Sequence, residues 1–261
     1  MKTPILHASG LVLRYGESPA IDGIDLRIHQ GESIAIMGPS GSGKTSLLHC
    51  LSGVLRPDSG TVTFSGLSGV VEICALSDGK RSQMRRQDFG FVFQQGLLVP
   101  ELTAVENVAL PLLLSGADRR GAEKHATSWL AALGLAGMEQ RRIGELSGGQ
   151  AQRVAIARSQ VSGASLTFAD EPTGALDSAT GVGVMDALLH STVAQGRTLM
   201  VVTHDESVAA RCTRIVRLVD GRIISDSALD ASAKPPTTSV PRLYPRHGGS
   251  APERDGRDGL S

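Results

Sequence analysis

Eight consecutive residues constrain this chain more than any other feature: Gly38-Pro39-Ser40-Gly41-Ser42-Gly43-Lys44-Thr45 has the spacing GxxxxGK(S/T). Ahead of it, Ser33-Ile34-Ala35-Ile36-Met37 is an apolar run of the kind a strand covered on both faces requires. After it, Leu47, Leu48 and Leu51 fall at helical spacing, and Gly53 is placed to end the helix. Strand, glycine loop and helix in that order predict a cradle for a nucleoside triphosphate. Glycines let the backbone aim successive N–H groups inward, and the helix N-terminus adds positive potential. Lys44 is expected on the β and γ oxygens and the Thr45 hydroxyl on Mg²⁺. The predicted phosphate-binding set is Gly38, Ser40, Gly41, Ser42, Gly43, Lys44, Thr45 and Ser46. Alone, such a loop does not separate a transporter ATPase from a kinase, a GTPase or a helicase.

The flanking patterns predict an α/β fold. Leu11, Leu13, Ile24, Leu26 and Ile28 alternate with Arg14, Asp25 and Arg27, as half-buried antiparallel strands do, with Asp22-Gly23 as a turn signal. Ala122, Ala126, Trp129, Leu130 and Leu133 give an amphipathic helix closed by Gly134. Leu166–Ala169 and Thr198–Val202 read as strands around a helix at Val184–Leu189, a βαβ alternation. Asp220-Gly221 suits a type I′ hairpin turn between Ile215–Val219 and Arg222–Ile224. Residues 227–261, with Lys234-Pro235-Pro236 and Arg246-His247-Gly248-Gly249, are expected to form a disordered tail.

Composition narrows the function classes. Lys+Arg and Asp+Glu are equal at 26 each, so a bulk electrostatic grip on nucleic acid is not expected. Cys50, Cys74 and Cys212 are far apart and form no CxxC, which fits a reducing compartment. No apolar run approaches the roughly 18 residues of a membrane span, and Met1-Lys2-Thr3-Pro4 does not open a secretory signal, so the cytoplasm is the expected location.

Two further segments carry chemistry. Leu166-Thr167-Phe168-Ala169 runs into Asp170-Glu171; beside the phosphate loop in a parallel sheet, Asp170 would hold the Mg²⁺ shell and Glu171 accept a proton from the attacking water. The plainer alternative is a solvated pair capping the turn at Pro172-Thr173-Gly174. In Leu146-Ser147-Gly148-Gly149-Gln150, Ser147 and Gln150 fit a capping box. That box leaves Gly148-Gly149 unexplained; two glycines at a helix start let an anion approach the backbone.

With these residues in order, GPSGSGKT, LSGGQ and ADEPTGALD, the sequence resembles the nucleotide-binding subunits of ATP-binding cassette (ABC) transporters over about residues 5 to 225. The resemblance implies a P-loop NTPase (RecA-like) core with an N-terminal antiparallel β subdomain and an inserted α-helical signature subdomain at about 95–160, the ATPase domain being 1–226. It implies that Gln94, ending Phe91-Val92-Phe93, touches Mg²⁺ and the membrane partner, that Tyr15 stacks on adenine, that His204 senses the γ-phosphate, and that Asp177 crosses a dimer. Lys44, Glu171 and His204 are then the catalytic set, Thr45, Gln94 and Asp170 the metal set, and Ser147, Gly149 and Gln150 close on the nucleotide of a second subunit. A homodimer of nucleotide-binding subunits, peripheral on the inner face of the membrane, would drive a separate permease. Within the family the chain looks most like the lipoprotein-release and macrolide-export branch; Gly96 stands where relatives often carry an aromatic, and Val70–Cys74 reads as a possible extra strand. A regulatory ATP-binding subunit without cargo, and a soluble ABC-type machine, are the alternatives.

Overall fold

The computed structural model describes residues 4–66 and 69–228. In chain order the elements are β1 (Pro4–Tyr15), β2 (Ser18–His29), β3 (Ser33–Met37), α1 (Lys44–Leu51), β4 (Ser59–Gly66), β5 (Gly69–Glu72), α2 (Asp78–Asp88) and β6 (Phe89–Phe93). They continue as α3 (Ala104–Leu114), α4 (Arg119–Ala132), α5 (Gly148–Gln160), β7 (Leu166–Asp170), α6 (Ser178–Ser191), β8 (Thr198–Thr203), α7 (Glu206–Ala209), β9 (Arg214–Val219) and β10 (Arg222–Asp226). One antiparallel sheet has the order β2-β1-β4-β5; a six-stranded sheet has the order β10-β9-β3-β8-β7-β6, parallel except for β10.

Side-chain alternation along the central strands splits the core in two. Ile34 and Ile36 of β3, Met200 and Val202 of β8, and Leu166 and Phe168 of β7 pack on one side with α1 and the antiparallel sheet. Ala35, Met37, Leu199, Val201 and Ala169, one residue out of phase, pack on the other with α3, α4, α5 and α6. Every residue of β3 and β8 is buried, which is why their sequences run apolar without alternating.

Two sequence expectations change. Asp22-Gly23 is not a hairpin turn: Leu11 pairs with Ile24 and Val12 with Asp22, so Gly23, at φ 71°, is the extra residue of a bulge inside β2, and the chain reverses at Gly16-Glu17. The strand expected at Val70–Cys74 ends at Glu72, where Ile73–Ala75 turns into a single 3-10 turn that buries Ile73. Between it and β6 stands α2, which no apolar stripe announces, since only Arg81 and Met84 of its residues are buried. The tail expected from 227 lies outside the described residues except for Ser227 and Ala228. Those two are tied to the fold: Ser227 N–H donates to the Ile215 carbonyl at 3.0 Å, and Ala228 N–H to Asp226 Oδ1 at 3.1 Å.

Candidate functional site

The loop from Gly38 to Gly43 joins the buried end of β3 to α1 and is propped by β2 and by the β9–β10 turn. A Cβ on Gly43, where φ is 96°, would lie 2.1 Å from the Ala20 carbonyl oxygen, so only glycine lets the loop sit on β2. The β9–β10 turn takes positive φ at Asp220 and Gly221, as a type I′ turn requires. Gly221 N–H donates to the Ser42 carbonyl at 3.1 Å, and Asp22 N–H donates to the Gly221 carbonyl at 2.9 Å. The buried Lys44 ammonium curls back to donate to the carbonyls of Gly38 at 2.9 Å and Pro39 at 2.8 Å, which uses two of its three protons. No side chain caps α1 and its first turn holds no acid, whereas Thr103, Asp118, Ser147 and Asp177 cap α3, α4, α5 and α6. The buried Ser42 Oγ has no hydrogen-bond partner among the described residues. A converging set of unanswered N–H groups, an ammonium and a hydroxyl fits a polyphosphate.

The acidic pair reaches this loop by a route the sequence did not reveal. β8 lies between β3 and β7, so the strand that carries Asp170 is not the neighbour of the loop's strand. α1 crosses above β7 and β8 instead, and Thr45 Oγ1 donates to Asp170 Oδ2 at 3.0 Å. Burial raises the Asp170 carboxyl pKa above its usual range, against the Thr45 hydrogen bond and the charges of His49 and Lys44, which pull it down.

Glu171 does not cap the following turn with its side chain. Its Oε1 meets His204 Nδ1 at 2.7 Å and its Oε2 accepts from Thr203 Oγ1 at 3.2 Å, while its backbone takes φ 45°. Gln94 joins the group: a Cβ on Gly174 would meet Gln94 Nε2 at 2.9 Å and Glu171 Cβ at 3.4 Å. Ser40 and Gly41 lie exposed on the loop, Ser46 is half-buried in the first turn of α1, and Tyr15, at the end of β1, is 60% exposed.

The remaining expected residues gather at the starts of α5 and α6. Ser147 Oγ accepts from Gln150 N–H at 3.3 Å and Gln150 Oε1 from Ser147 N–H at 2.9 Å, the reciprocal capping box. Asp177 caps α6, accepting from Thr180 N–H at 3.0 Å, and the Thr180 side chain, with this backbone bond second, lowers its carboxyl pKa below the usual range. Gly149 has an explanation within the chain: a Cβ there would lie 2.4 Å from Thr180 Cγ2. Gly148 is exposed, and a Cβ there would have the Leu176 methyl at 3.2 Å. Among the described residues no hydrogen bond links Ser147–Gln150 to the phosphate loop.

Several residues that shape the site were not anticipated. Gln152 Nε2, buried on α5, donates to the Phe93 carbonyl at 3.0 Å and the Pro172 carbonyl at 2.8 Å, clasping the end of β6 to the turn after Glu171. Arg158, also on α5, donates to the carbonyls of Gly96 at 2.7 Å and Leu97 at 2.8 Å. Buried Asn107 accepts from Val99 N–H at 2.8 Å and donates back to the Val99 carbonyl at 3.0 Å. The available signal was a polar residue at an inward position of an otherwise apolar helix face.

Fold and site together define a P-loop ATPase module. The family model described as ABC transporter matches residues 21–174. The chain is 44% identical over 237 residues to the pyoverdine export ATP-binding/permease protein PvdT of Pseudomonas syringae pv. syringae (strain B728a), covering 89% of this chain and 35% of that protein. It is 42% identical over 232 residues to the macrolide export ATP-binding/permease protein MacB of Nitrosomonas europaea, covering 87% and 35%. The dimeric structure of a post-hydrolysis state of the ATP-binding cassette MJ0796 bound to ADP and Pi superposes with a TM-score of 0.75 at 36% identity, covering 85% of this chain and 97% of that one. The chain belongs to the ABC transporter family, of which it is an ATP-binding, ATP-hydrolysing cassette. It spans about a third of the length of the export relatives it matches. Among the described residues no helix is long and apolar enough to cross a membrane.

Proposed function

We propose that two copies of this chain bind two ATP molecules at their shared seam, hydrolyse them, and drive a separate export-type membrane permease from the inner face of the membrane. What carries the reading is the placement of Thr45, Asp170 and Glu171 in one contact chain on the phosphate loop, with Ser147 and Gly149 gathered apart from it. Half a site is thus present twice over, a cradle and a lid that serve different nucleotides. In this reading residues 1–226 are the ATPase domain and about 95–160 its signature subdomain.

Hydroxyl, carboxylate and amide oxygens of Thr45, Asp170 and Gln94 suit a hard cation, and the described residues hold no cluster of three acidic, His or Cys side chains that would bind one by themselves. Such a donor set fits Mg²⁺ that arrives with a nucleotide and takes its other ligands from phosphate and water. When bound, Mg²⁺ would neutralise charge on the β and γ oxygens. Lys44 would turn from the loop carbonyls to the same oxygens, Tyr15 would stack on the base, and Glu171 would take the proton of the attacking water. His204, exposed at 70% of its side chain, would hold Glu171 by Nδ1 and leave Nε2 to meet the γ-phosphate. Across the seam Ser147, Gly149, Gln150 and Asp177 would close on that phosphate. Coupling to the permease would run through Gln94–Thr103, the segment that Arg158 and Asn107 hold to the helices, with Gln152 holding Phe93 just ahead of it.

Mixing two defective chains tests the shared site. Lys44→Ala spoils the cradle and Ser147→Arg the lid, so each homodimer is inactive, while a mixed dimer keeps one intact site. We expect ATPase activity to reappear on mixing. Absence of recovery, with mixed dimers demonstrated by differential tagging, would remove the cross-subunit reading.

A further inference from the structure

We propose, on the reading of Glu171 as proton acceptor, that Thr203 is a positioning residue which sets the direction of the Glu171 carboxylate. Thr203 ends β8 and is 1% exposed, so its hydroxyl is shielded from water and must find its partners within the protein. It finds two. It donates to Glu171 Oε2 at 3.2 Å and accepts from the Asp205 backbone N–H at 3.0 Å. The Asp205 N–H occupies one lone pair of the oxygen and so helps turn its single proton toward Glu171.

Glu171 needs such a hold for two reasons. Its backbone sits at φ 45°, in the left-handed region that a glutamate rarely adopts, so local preference does not place the side chain. The terminal torsion of a glutamate is also broad, and one hydrogen bond to one oxygen leaves the carboxylate free to swing about it. His204 Nδ1 fixes Oε1 at 2.7 Å; Thr203 fixes the other oxygen. Two successive residues thus grip both oxygens, and the Glu171 N–H is itself bonded to the Val202 carbonyl of the same strand at 2.9 Å. The lone pairs left on the two carboxylate oxygens then point in fixed directions, which a proton acceptor requires as well as basicity. Because Asp205 also caps α7 through Ser207 N–H at 2.7 Å, a displacement of residues 203–205 changes both grips together.

The test compares the 261-residue chain with Thr203→Val, which keeps the shape and strand preference but lacks the hydroxyl, Thr203→Ala, which lacks bulk as well, and Thr203→Ser, which keeps the hydroxyl. Steady-state ATPase kinetics, affinity for a fluorescent ATP analogue and melting temperature are read for each. We expect T203V to lose roughly tenfold or more in kcat, the scale of a hydrogen bond to a charged group, with KM and nucleotide affinity within about twofold of the parent. T203S is expected to recover most of that loss, which a role limited to packing would not produce. If T203V melts out, T203A carries the comparison. A deletion variant with the parent kcat, a T203S as slow as T203V, or a loss that falls on affinity instead of kcat overturns the proposal. Glu171→Gln run in parallel is expected to lose about 10²- to 10⁴-fold. An E171Q chain that turns over normally defeats the reading of Glu171 itself, whereas a dead E171Q beside a normal T203V defeats only the role of Thr203.

Discussion

Gly149 combines two pressures at one residue. It opens α5 two residues beyond its cap, where alanine would ordinarily be the better helix former, and it leaves no room for a methyl group beside Thr180. At 2.4 Å the overlap is too severe for a short branched side chain to absorb by rotation, and Thr180 is held in place by its N–H bond to Asp177. Overpacking of this kind costs about 1–3 kcal/mol, and at so severe an overlap the upper part of that range exceeds the roughly 1 kcal/mol that helix propensity returns. Gly149→Ala is therefore expected to melt about 2–8 °C below the parent, and the double variant with Thr180→Ser to recover most of the difference in a thermal scan. An unchanged melting temperature for G149A removes this packing role. Spacing alone pointed to an anion at Gly148-Gly149; the neighbour that explains Gly149 stands 31 positions later in the chain and shows only in three dimensions.

At the scale of elements, α5 is the hub. Its N-terminus carries the Ser147 capping box, its middle places Gln152 against Phe93 and Pro172, and its last turn places Arg158 against the Gly96–Leu97 turn. Leu97 lies in that turn at φ 46° and largely exposed, a conformation that leucine avoids and that Arg158 holds from behind. Burial lowers the Arg158 guanidinium pKa, and the two carbonyl bonds are what keep it satisfied inside. Arg158→Met keeps the apolar stem and removes both donors. At about 1.5–3 kcal/mol for a charged hydrogen bond, amide exchange at residues 95–98 is expected to quicken by roughly 10- to 100-fold while nucleotide affinity holds. Exchange at the parent rate would mean that the turn holds itself. The helix and most strands were legible from their apolar periods; Gln152 and Arg158 were not. Periodicity assigns polar residues to solvent, and their partners are carbonyls 59, 20, 62 and 61 positions away.

For the whole molecule, the Arg214–Asp226 pair closes the fold on itself. Arg214 of β9 donates to both oxygens of Asp226 at 2.8 and 2.6 Å, to the Arg27 carbonyl at 2.6 Å and to Glu32 at 3.1 Å, so one guanidinium ties β10 to β2 and to the turn before β3. Burial pushes the Asp226 carboxyl pKa up, but the hydrogen bonds from Arg214 and from Ala228 N–H outweigh it and hold the pKa below the usual range. A carboxyl depressed in the folded state binds its proton more readily when unfolded, so the pair's stabilisation is complete above the ordinary aspartate value near 4 and drains away as pH falls through the folded value. Melting temperature is expected to drop as pH goes from about 5 to about 3. Asp226→Asn, which leaves the buried arginine with Glu32 as its remaining carboxylate partner, is expected to cost about 1.5–3 kcal/mol at neutral pH and to flatten that acid slope. An equally steep slope in D226N would assign it to other carboxyls.

The motifs of the proposed site were written in the sequence because phosphate loop, acidic strand end and capping box are local: each needs a few neighbouring residues of given type, and a strand or helix period to present them. Sheet order, the passage of α1 over β8 to bring Thr45 to Asp170, the grip of Thr203 and His204 on Glu171 and the close fit of Gly149 on Thr180 were decided by tertiary structure. They depend on which strands lie side by side, and buried area, not any local preference, makes that choice.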